Sequence, residues 1–175
     1  IGGLAGDETA AQRAAALEVV VPLLAADPRP RYLMGLGSPV DMLEAIHQGV
    51  DLFDSVLPAR VARNGTLWVP DGHLNLRNAR FLDDGAPVQE DCLCRLCRGF
   101  SRAYLAHLFR ADELLAYRLA TCHNLTFTLD FMARARRAIR AGTFPAYRRS
   151  MAPDPNPDDP SRPRPSDRQA GAKGG

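Results

Sequence analysis

Three cysteines within six residues, followed later by a histidine, constrain this chain more than any other feature. Cys92, Cys94 and Cys97 are separated by one and two residues, and His123 stands farther along the sequence. Three thiolates and one imidazole are the ligand set of a closed tetrahedral zinc site. A tight loop can bring the thiolates to one ion, and the distant histidine ties that loop to a later element. We therefore predict one structural Zn²⁺ ion rather than a catalytic one.

This cluster allows two alternatives. The four cysteines could form disulfides, but no apolar signal segment is visible and the chain is rich in residues of the buried type. Cys122 competes with its neighbour His123 for the fourth ligand position. Adjacent side chains on a helix point about 100° apart, so only one of the two would face the metal. We favour His123.

Composition and charge bound the class of protein only loosely. The chain has 175 residues, of which 46% are hydrophobic, and a net charge of +2, enough for one core and too little to indicate a nucleic-acid partner. Residues 134–149 contain six arginines and no acidic residue. A phosphate-binding surface is possible there, although a solvated helix face is the commoner explanation. No stretch is long and apolar enough to span a bilayer.

The two ends of the sequence differ in character. The chain begins at Ile1 without an initiator methionine and continues into Gly2 and Gly3, as if it entered at the end of a strand. We expect a piece of a longer protein. Residues 151–175 are rich in proline and contain almost nothing apolar, which predicts a disordered tail.

The first third of the chain alternates between helical and strand patterns. Residues 10–25 predict a helix, residues 31–35 a short strand, and residues 51–57 a second strand. Between these strands Ser38 is placed as the N-cap of another helix, with Pro39 at its first position. This alternation with short connections predicts a parallel sheet, either open or closed into a barrel.

The carboxyl ends of the predicted strands are where chemistry would gather. The polar or glycine residues there are Gly2-Gly3, Met34-Gly35 and Asp54. Asp54 is the only carboxylate among them. It lies in an apolar run, where an acid is costly unless it is solvated, hydrogen-bonded or functional. From position alone, an aspartate that caps a neighbouring loop explains it equally well.

The rest of the chain predicts a subdomain around the cysteines. Residues 60–65 predict a polar loop, and residues 66–69 and 73–77 predict the strands of a β-hairpin. Residues 101–121 and 125–141 predict two helices, and a glycine closes the second.

Eight short motifs, in order and with family-like spacing over about residues 1–150, closely resemble the carboxyl-terminal half of bacterial tRNA-guanine transglycosylases. They are Gly2-Gly3-Leu4-Ala5, Tyr32-Leu33-Met34-Gly35, Asp51-Leu52-Phe53-Asp54, Arg60-Val61-Ala62-Arg63-Asn64-Gly65, Arg77-Asn78-Ala79, Cys92-x-Cys94-x-x-Cys97, Ser101-Arg102-Ala103-Tyr104-Leu105 and His123-Asn124-Leu125.

The resemblance implies an α/β fold of the (β/α)8 TIM-barrel family. Residues 1–60 would form the last strands of the barrel, residues 61–150 an inserted zinc-binding subdomain with a β-hairpin and helices, and residues 151–175 the tail. Cys92, Cys94, Cys97 and His123 match the zinc ligands of the family, which decides between His123 and Cys122. The family also suggests a homodimer formed through the zinc subdomain.

The resemblance also implies roles for individual residues. Asp54 matches the nucleophile of the family, Gly3 a backbone contact to the base, and Met34 and Gly35 the floor of the base pocket. Two segments match RNA-binding segments of the family: Gly35, Leu36, Gly37, Ser38, Pro39, Val40 and Asp41 in the first, and Ala59, Arg60, Val61, Ala62 and Arg63 in the second.

The implied activity is a base exchange in queuosine biosynthesis. Guanine at wobble position 34 of tRNAs with a GUN anticodon would be replaced by a 7-deazaguanine, either the precursor preQ1 or queuine. Attack of the aspartate on C1′ gives a covalent aspartyl-ribosyl intermediate, and attack by the second base restores the configuration. The family takes a second aspartate from its amino-terminal half, and nothing in this chain matches it, so we expect the chain alone to be inactive.

Two other functions stay open. One is a non-catalytic partner subunit of the same family, against which the presence of Asp54 argues. The other is a zinc-stapled RNA-binding module without chemistry. A tRNA substrate and free thiols predict a cytoplasmic location with no membrane partner.

Overall fold

The computed structural model describes residues 1–151. Apart from Met151, the predicted tail lies outside the described residues. The first part of the chain alternates as predicted, with α1 at Ala10–Leu23, β1 at Tyr32–Leu33, α2 at Pro39–His47 and β2 at Leu52–Phe53. β1 and β2 are parallel neighbours. This confirms the α/β class, while the barrel stays a prediction.

The chain start lies along the other edge of β1. The amino group of Ile1 donates to the Tyr32 carbonyl oxygen at 2.6 Å, and the Met34 N–H donates to the Ile1 carbonyl oxygen at 3.0 Å. These two bonds have the pattern of a parallel pairing. The segments ending at Gly2-Gly3, Met34-Gly35 and Asp54 therefore run side by side in the same direction.

The amino terminus of α2 forms as the sequence predicts. The Ser38 side chain accepts a hydrogen bond from the Asp41 N–H at 3.2 Å, and Pro39 occupies the first turn. Asp41 also forms a salt bridge with Arg13 of α1, with 2.7 Å between Arg13 Nη2 and Asp41 Oδ1. The acid at the positive end of the α2 dipole thus joins two helices.

Helix α3, Leu57–Arg63, replaces the end of the predicted second strand and most of the predicted polar loop. The prediction of a strand over residues 51–57 was wrong beyond Phe53. Pro58 in the first turn favours a helix start, and the Ser55 hydroxyl accepts the Leu57 N–H at 3.1 Å. One side of α3 is apolar, so tertiary packing favours the helix over a loop.

The predicted hairpin is confirmed. β3 at Thr66–Val69 pairs antiparallel with β4 at Gly72–Asn75. After a short 3-10 helix at Ala79–Phe81, the chain reaches the cysteines and α4 at Arg95–Gly99.

The helix boundary in the second half differs from the prediction. α5 spans Arg102–Arg110 and α6 spans Leu114–Arg140 without interruption, so the predicted break between residues 121 and 125 was wrong. The break falls at Asp112, whose φ is +55°. α6 contains no glycine or proline that would end it earlier. Gly142, at φ +68°, closes this helix as predicted.

α6 connects two of the three buried clusters. With 27 residues it is about 40 Å long. Its first half packs in the core around the cysteines, and its second half packs against α2, β3 and α7 at Phe144–Ser150. A third cluster joins α1, β1 and α2. Within residues 1–151, no helix has the length and apolarity needed to cross a membrane.

Candidate active site and metal centre

The four predicted metal ligands converge. The three cysteine sulfurs and a histidine nitrogen all lie within 4.8 Å of one another. His123 Nδ1 lies 3.7 Å from Cys92 Sγ, 3.6 Å from Cys94 Sγ and 3.3 Å from Cys97 Sγ. In a tetrahedral site with the usual metal–sulfur and metal–nitrogen distances, this edge is about 3.6 Å. The donor set and its spacing therefore fit one tetrahedral metal ion.

The remaining imidazole nitrogen fixes the orientation of the ring. His123 is fully buried, and its Nε2 lies 2.8 Å from the Trp68 carbonyl oxygen. A carbonyl can only accept, so Nε2 carries the proton and Nδ1 presents its lone pair to the metal. Cys122, the competing residue, is exposed and unpaired. This geometry supports His123 over Cys122.

The thiols are electrostatically linked. Hydrogen bonding from Cys97 is the main reason that the pKa of Cys94 falls to about 3. The pKa of Cys97 is raised, chiefly by the same contact, and burial raises the pKa of Cys92. A bound dication would displace the remaining thiol protons, so metal affinity falls as the pH falls. None of the four cysteines forms a disulfide, which removes the support for that alternative.

Asp54 lies at the end of β2 and is held by two donors. The Tyr32 hydroxyl donates to Asp54 Oδ1 at 2.7 Å, and the Gly35 N–H donates to the same oxygen at 2.9 Å. Both bonds lower the pKa of Asp54 below its ordinary value, and the bond from Tyr32 has the larger effect. Asp54 is exposed, and Oδ2 accepts no hydrogen bond from another described residue. The site therefore presents an ionised, oriented carboxylate.

The chain start, the end of β1 and the end of β2 approach one another near Asp54. A Cβ on Gly2 would stand 3.7 Å from the Met34 sulfur. A Cβ on Gly37 would stand 2.2 Å from the Ser55 Cβ, so only glycine permits the loop after β1 to contact the loop after β2. The predicted base-contact residues Gly3, Met34 and Gly35 are exposed beside this contact.

The two predicted RNA segments are partly buried. Leu36, Gly37 and Ala62 are buried, whereas Val40, Arg60 and Arg63 are exposed. Ala62 packs into the core around the cysteines, so α3 turns its arginines outward. If these segments bind RNA, their exposed residues would make the contacts.

The arginines of residues 134–149 do not form one free surface. Arg134 pairs with Asp130 at 2.6 Å, and Arg148 pairs with Glu44 at 2.6 Å. Arg136 and Arg140 line a cleft of about 710 Å³ with Arg31 and Asp51. That cleft lies at the amino ends of β1 and β2, away from Asp54. The run follows the solvated side of α6 and continues into α7, as the commoner explanation predicts.

Tyr32 and Asn124 were not singled out from the sequence. Tyr32 contacts Asp54 across 22 positions, and Asn124 contacts residues more than 50 positions away. No local pattern marks such contacts. The only sequence signal was their place inside the quoted motifs.

A largely buried Cys3His group that could hold a metal ion, joined through a hairpin and helices to a carboxylate beside parallel strands, defines the class of this α/β protein. The model of the queuine tRNA-ribosyltransferase family matches residues 1–156. This chain therefore belongs to the queuine tRNA-ribosyltransferase family.

Individual relatives agree with this assignment. A queuine tRNA-ribosyltransferase from Symbiobacterium thermophilum is 53% identical over 151 residues, which cover 86% of this chain and 38% of that protein. Those from Solidesulfovibrio magneticus and Helicobacter hepaticus are 52% and 49% identical over 151 residues, which cover 86% of this chain and 40% and 39% of those proteins. The chain thus spans about two fifths of the length of these relatives.

Proposed function

We propose that this chain supplies the nucleophile and the zinc subdomain of an enzyme that exchanges guanine at position 34 of tRNA for a 7-deazaguanine base. The observation that carries the proposal is the arrangement of Asp54. It is exposed just after β2, beside the end of β1 and the chain start, and Tyr32 and Gly35 hold one of its oxygens. Oδ2 accepts no hydrogen bond from another described residue and so can reach an incoming atom.

The proposed reaction has two displacements at C1′ of the ribose. Asp54 Oδ2 forms a bond to C1′ as the bond from C1′ to guanine N9 breaks, with the electron pair leaving on the base. Guanine then takes a proton from a general acid. The conjugate base of that acid takes the N9 proton of the incoming 7-deazaguanine, whose N9 attacks C1′ from the opposite face as the bond from C1′ to Asp54 Oδ2 breaks and releases the carboxylate. Two inversions give net retention, and the RNA backbone is never cut.

The hydrogen bonds to Asp54 are consistent with these two displacements. A carboxylate with a lowered pKa is ionised at neutral pH, as a nucleophile must be. It is also a good leaving group for the second displacement. Gly35 and Tyr32 stabilise the charge that returns to Oδ1 when the covalent bond breaks.

The metal proposed for the Cys3His centre is zinc. Cys92, Cys94, Cys97 and His123 would hold it in a closed tetrahedron, where it contributes folding energy to the subdomain. Four protein ligands leave no position for a substrate, so the ion supplies no chemical step.

RNA would bind on the side of Asp54. We propose that the loop at the amino terminus of α2 and the exposed Arg60 and Arg63 of α3 contact the anticodon loop. Backbone N–H groups and the positive end of the α2 dipole favour phosphate at that loop. α3 begins three residues after Asp54, which places the start of this helix beside the proposed site of reaction.

Further parts of the proposal come from the family. β1 and β2 would belong to a (β/α)8 barrel. The second aspartate would come from the amino-terminal half of the family, which this chain does not match. On this basis the chain alone is proposed to be inactive. A homodimer through the zinc subdomain is likewise proposed from the family resemblance. A tRNA substrate and reduced thiols support a cytoplasmic location.

The experiment is labelled-guanine exchange in a chimaera. The matched region of the Symbiobacterium thermophilum relative is replaced by this chain, and incorporation into a tRNA with a GUN anticodon is measured. We expect exchange by the chimaera, none by its Asp54→Asn variant and none by this chain alone. An Asp54→Asn chimaera that retains exchange would refute the proposal. A folded chimaera that binds tRNA and metal without exchange would favour the non-catalytic binding module.

A further inference from the structure

Asn124 is a fully buried polar residue beside the metal ligand His123. Its Oδ1 accepts the Trp68 N–H at 3.0 Å. Its Nδ2 donates to the Pro58 carbonyl oxygen at 3.0 Å and to the Thr66 carbonyl oxygen at 3.0 Å. One side chain on α6 therefore contacts the first turn of α3 and the first strand of the hairpin.

The orientation of this amide is fixed by its partners. Trp68 N–H can only donate, and the carbonyls of Pro58 and Thr66 can only accept. Turning the amide over would place the NH₂ group against an N–H and the oxygen against two carbonyl oxygens. Both amide protons are used, and no other residue type of similar size offers one acceptor and two donors at these positions.

His123 and Asn124 both hydrogen-bond to the backbone of Trp68 in β3. His123 Nε2 donates to the Trp68 carbonyl oxygen at 2.8 Å, while Asn124 accepts the N–H of that residue. His123 is in turn held by the three sulfurs. The metal centre, β3 and α3 are thus joined through two consecutive side chains of α6.

We infer that Asn124 is a positioning residue, which couples the metal centre to α3 and so fixes Arg60 and Arg63 for RNA binding. This inference rests on the proposed function in taking α3 as an RNA-binding element. The carbonyl that Asn124 holds belongs to Pro58, two residues before Arg60. Ala62 is buried in the core around the cysteines, so a shift of the α3 start would turn both arginines relative to that core.

The first test is a double-mutant cycle on RNA affinity, with an anticodon stem-loop as the probe. Asn124→Asp keeps the acceptor for Trp68 at nearly unchanged shape and removes both N–H donors, so that at most one of the two carbonyl bonds can persist, through a protonated carboxyl. Thr128→Ala is the matched control, because its hydroxyl bonds only to the Asn124 carbonyl within the same helix. Metal content of each variant is measured first.

We expect Asn124→Asp to keep its metal and bind the stem-loop roughly tenfold more weakly, and Thr128→Ala to change affinity less than twofold. In a background that carries Arg60→Ala and Arg63→Ala, the Asn124→Asp effect should disappear. An equal loss in both backgrounds would overturn the inference, as would unchanged affinity of the single variant. If the unaltered chain binds no stem-loop, the RNA proposal fails, and the second test still decides the coupling.

The second test uses no variant. It therefore remains possible if the Asn124→Asp chain loses its metal or does not fold. Amide hydrogen exchange of the unaltered chain is followed before and after removal of the metal by a chelator. We expect the amides of α3 and β3 to lose protection together while those of α2 keep theirs. Retained protection in α3 would overturn the coupling, and equal loss in α2 would show that it is not specific.

Discussion

The Tyr32 hydroxyl donates a 2.7 Å hydrogen bond to Asp54 Oδ1, which joins the first residue of β1 to the residue that follows its parallel neighbour β2. The same contact lowers the pKa of Asp54 and raises that of Tyr32. Because Tyr32 lies in β1 and Asp54 just after β2, the sheet register sets this distance. The orientation of the carboxylate is therefore a property of the fold.

Replacing Tyr32 by Phe should raise the pKa of Asp54 toward its ordinary value of 3.8. The ionised carboxylate loses its main donor and keeps the Gly35 N–H. A carboxyl ¹³C NMR titration measures the shift, with Tyr104→Phe as the control because Tyr104 is far from Asp54 in sequence and stacks on Phe100.

The sign of the associated stability change follows from linkage. A lowered folded-state pKa contributes stability that is present above the unfolded pKa and is lost as the pH falls through the folded pKa. The stability difference between the Tyr32→Phe chain and the parent should therefore shrink in that acidic window. An unchanged Asp54 titration would contradict the assigned hydrogen bond.

Metal binding should hide three of the four thiols. Cys92, Cys94 and Cys97 converge with His123, and Cys122 is exposed. A thiol reagent should titrate one thiol in the metal-loaded chain and four after chelation and unfolding. In the Cys122→Ala control the loaded chain should show none. Three or more fast thiols in a chain that holds one zinc ion would rule out the assigned ligands.

Gly37→Ala should destabilise the chain by about 1–3 kcal/mol. The new Cβ would lie 2.2 Å from the Ser55 Cβ, so the loop after β1 must move away from the loop after β2. Gly85→Ala is the matched control, because nothing lies within 4 Å of a Cβ there. Denaturant unfolding gives the free energies.

A second substitution tests the cause of this effect. In the Ser55→Gly background the clash partner is gone, so Gly37→Ala should cost clearly less than in the parent. Equal costs in the two backgrounds would show that the close approach of these loops does not limit the choice of residue.

Arg60→Ala and Arg63→Ala should each weaken binding of the anticodon stem-loop and lower the salt dependence of binding by about one unit in slope. Both side chains are exposed on α3. Arg140→Ala is the control, since Arg140 lies in the cleft at the amino ends of the strands. If Arg140→Ala costs as much as Arg60→Ala, the arginines of residues 134–149 take part in binding and the proposed surface is wrong.

The parts of the fold that depend on neighbouring residues could be predicted from the sequence. The α2 start follows from Ser38 and Pro39, and the hairpin follows from alternation around Pro70-Asp71-Gly72. The convergence of Cys92, Cys94, Cys97 and His123 could also be predicted, from the spacing of the three cysteines and from the family resemblance that favours His123 over Cys122.

The parts that depend on tertiary packing could not. The sequence of α3 resembles a polar loop because it contains two arginines. Only the structure shows that Leu57, Val61 and Ala62 pack in buried clusters. The break between α5 and α6 depends on Asp112, which adopts a positive φ more readily than most non-glycine residues. Tyr32 and Asn124 act on partners far away in sequence, so only the folded chain shows their roles.

The most direct measurement of the central claim is detection of the covalent intermediate. The chimaera that carries this chain is incubated with a tRNA with a GUN anticodon without added base, then quenched in denaturant and digested for mass spectrometry. We predict an RNA adduct on the peptide that contains Asp54, absent from the Asp54→Asn variant and lost when guanine is added before the quench. An adduct on another residue, or exchange with no Asp54 adduct at any quench time, would contradict the account.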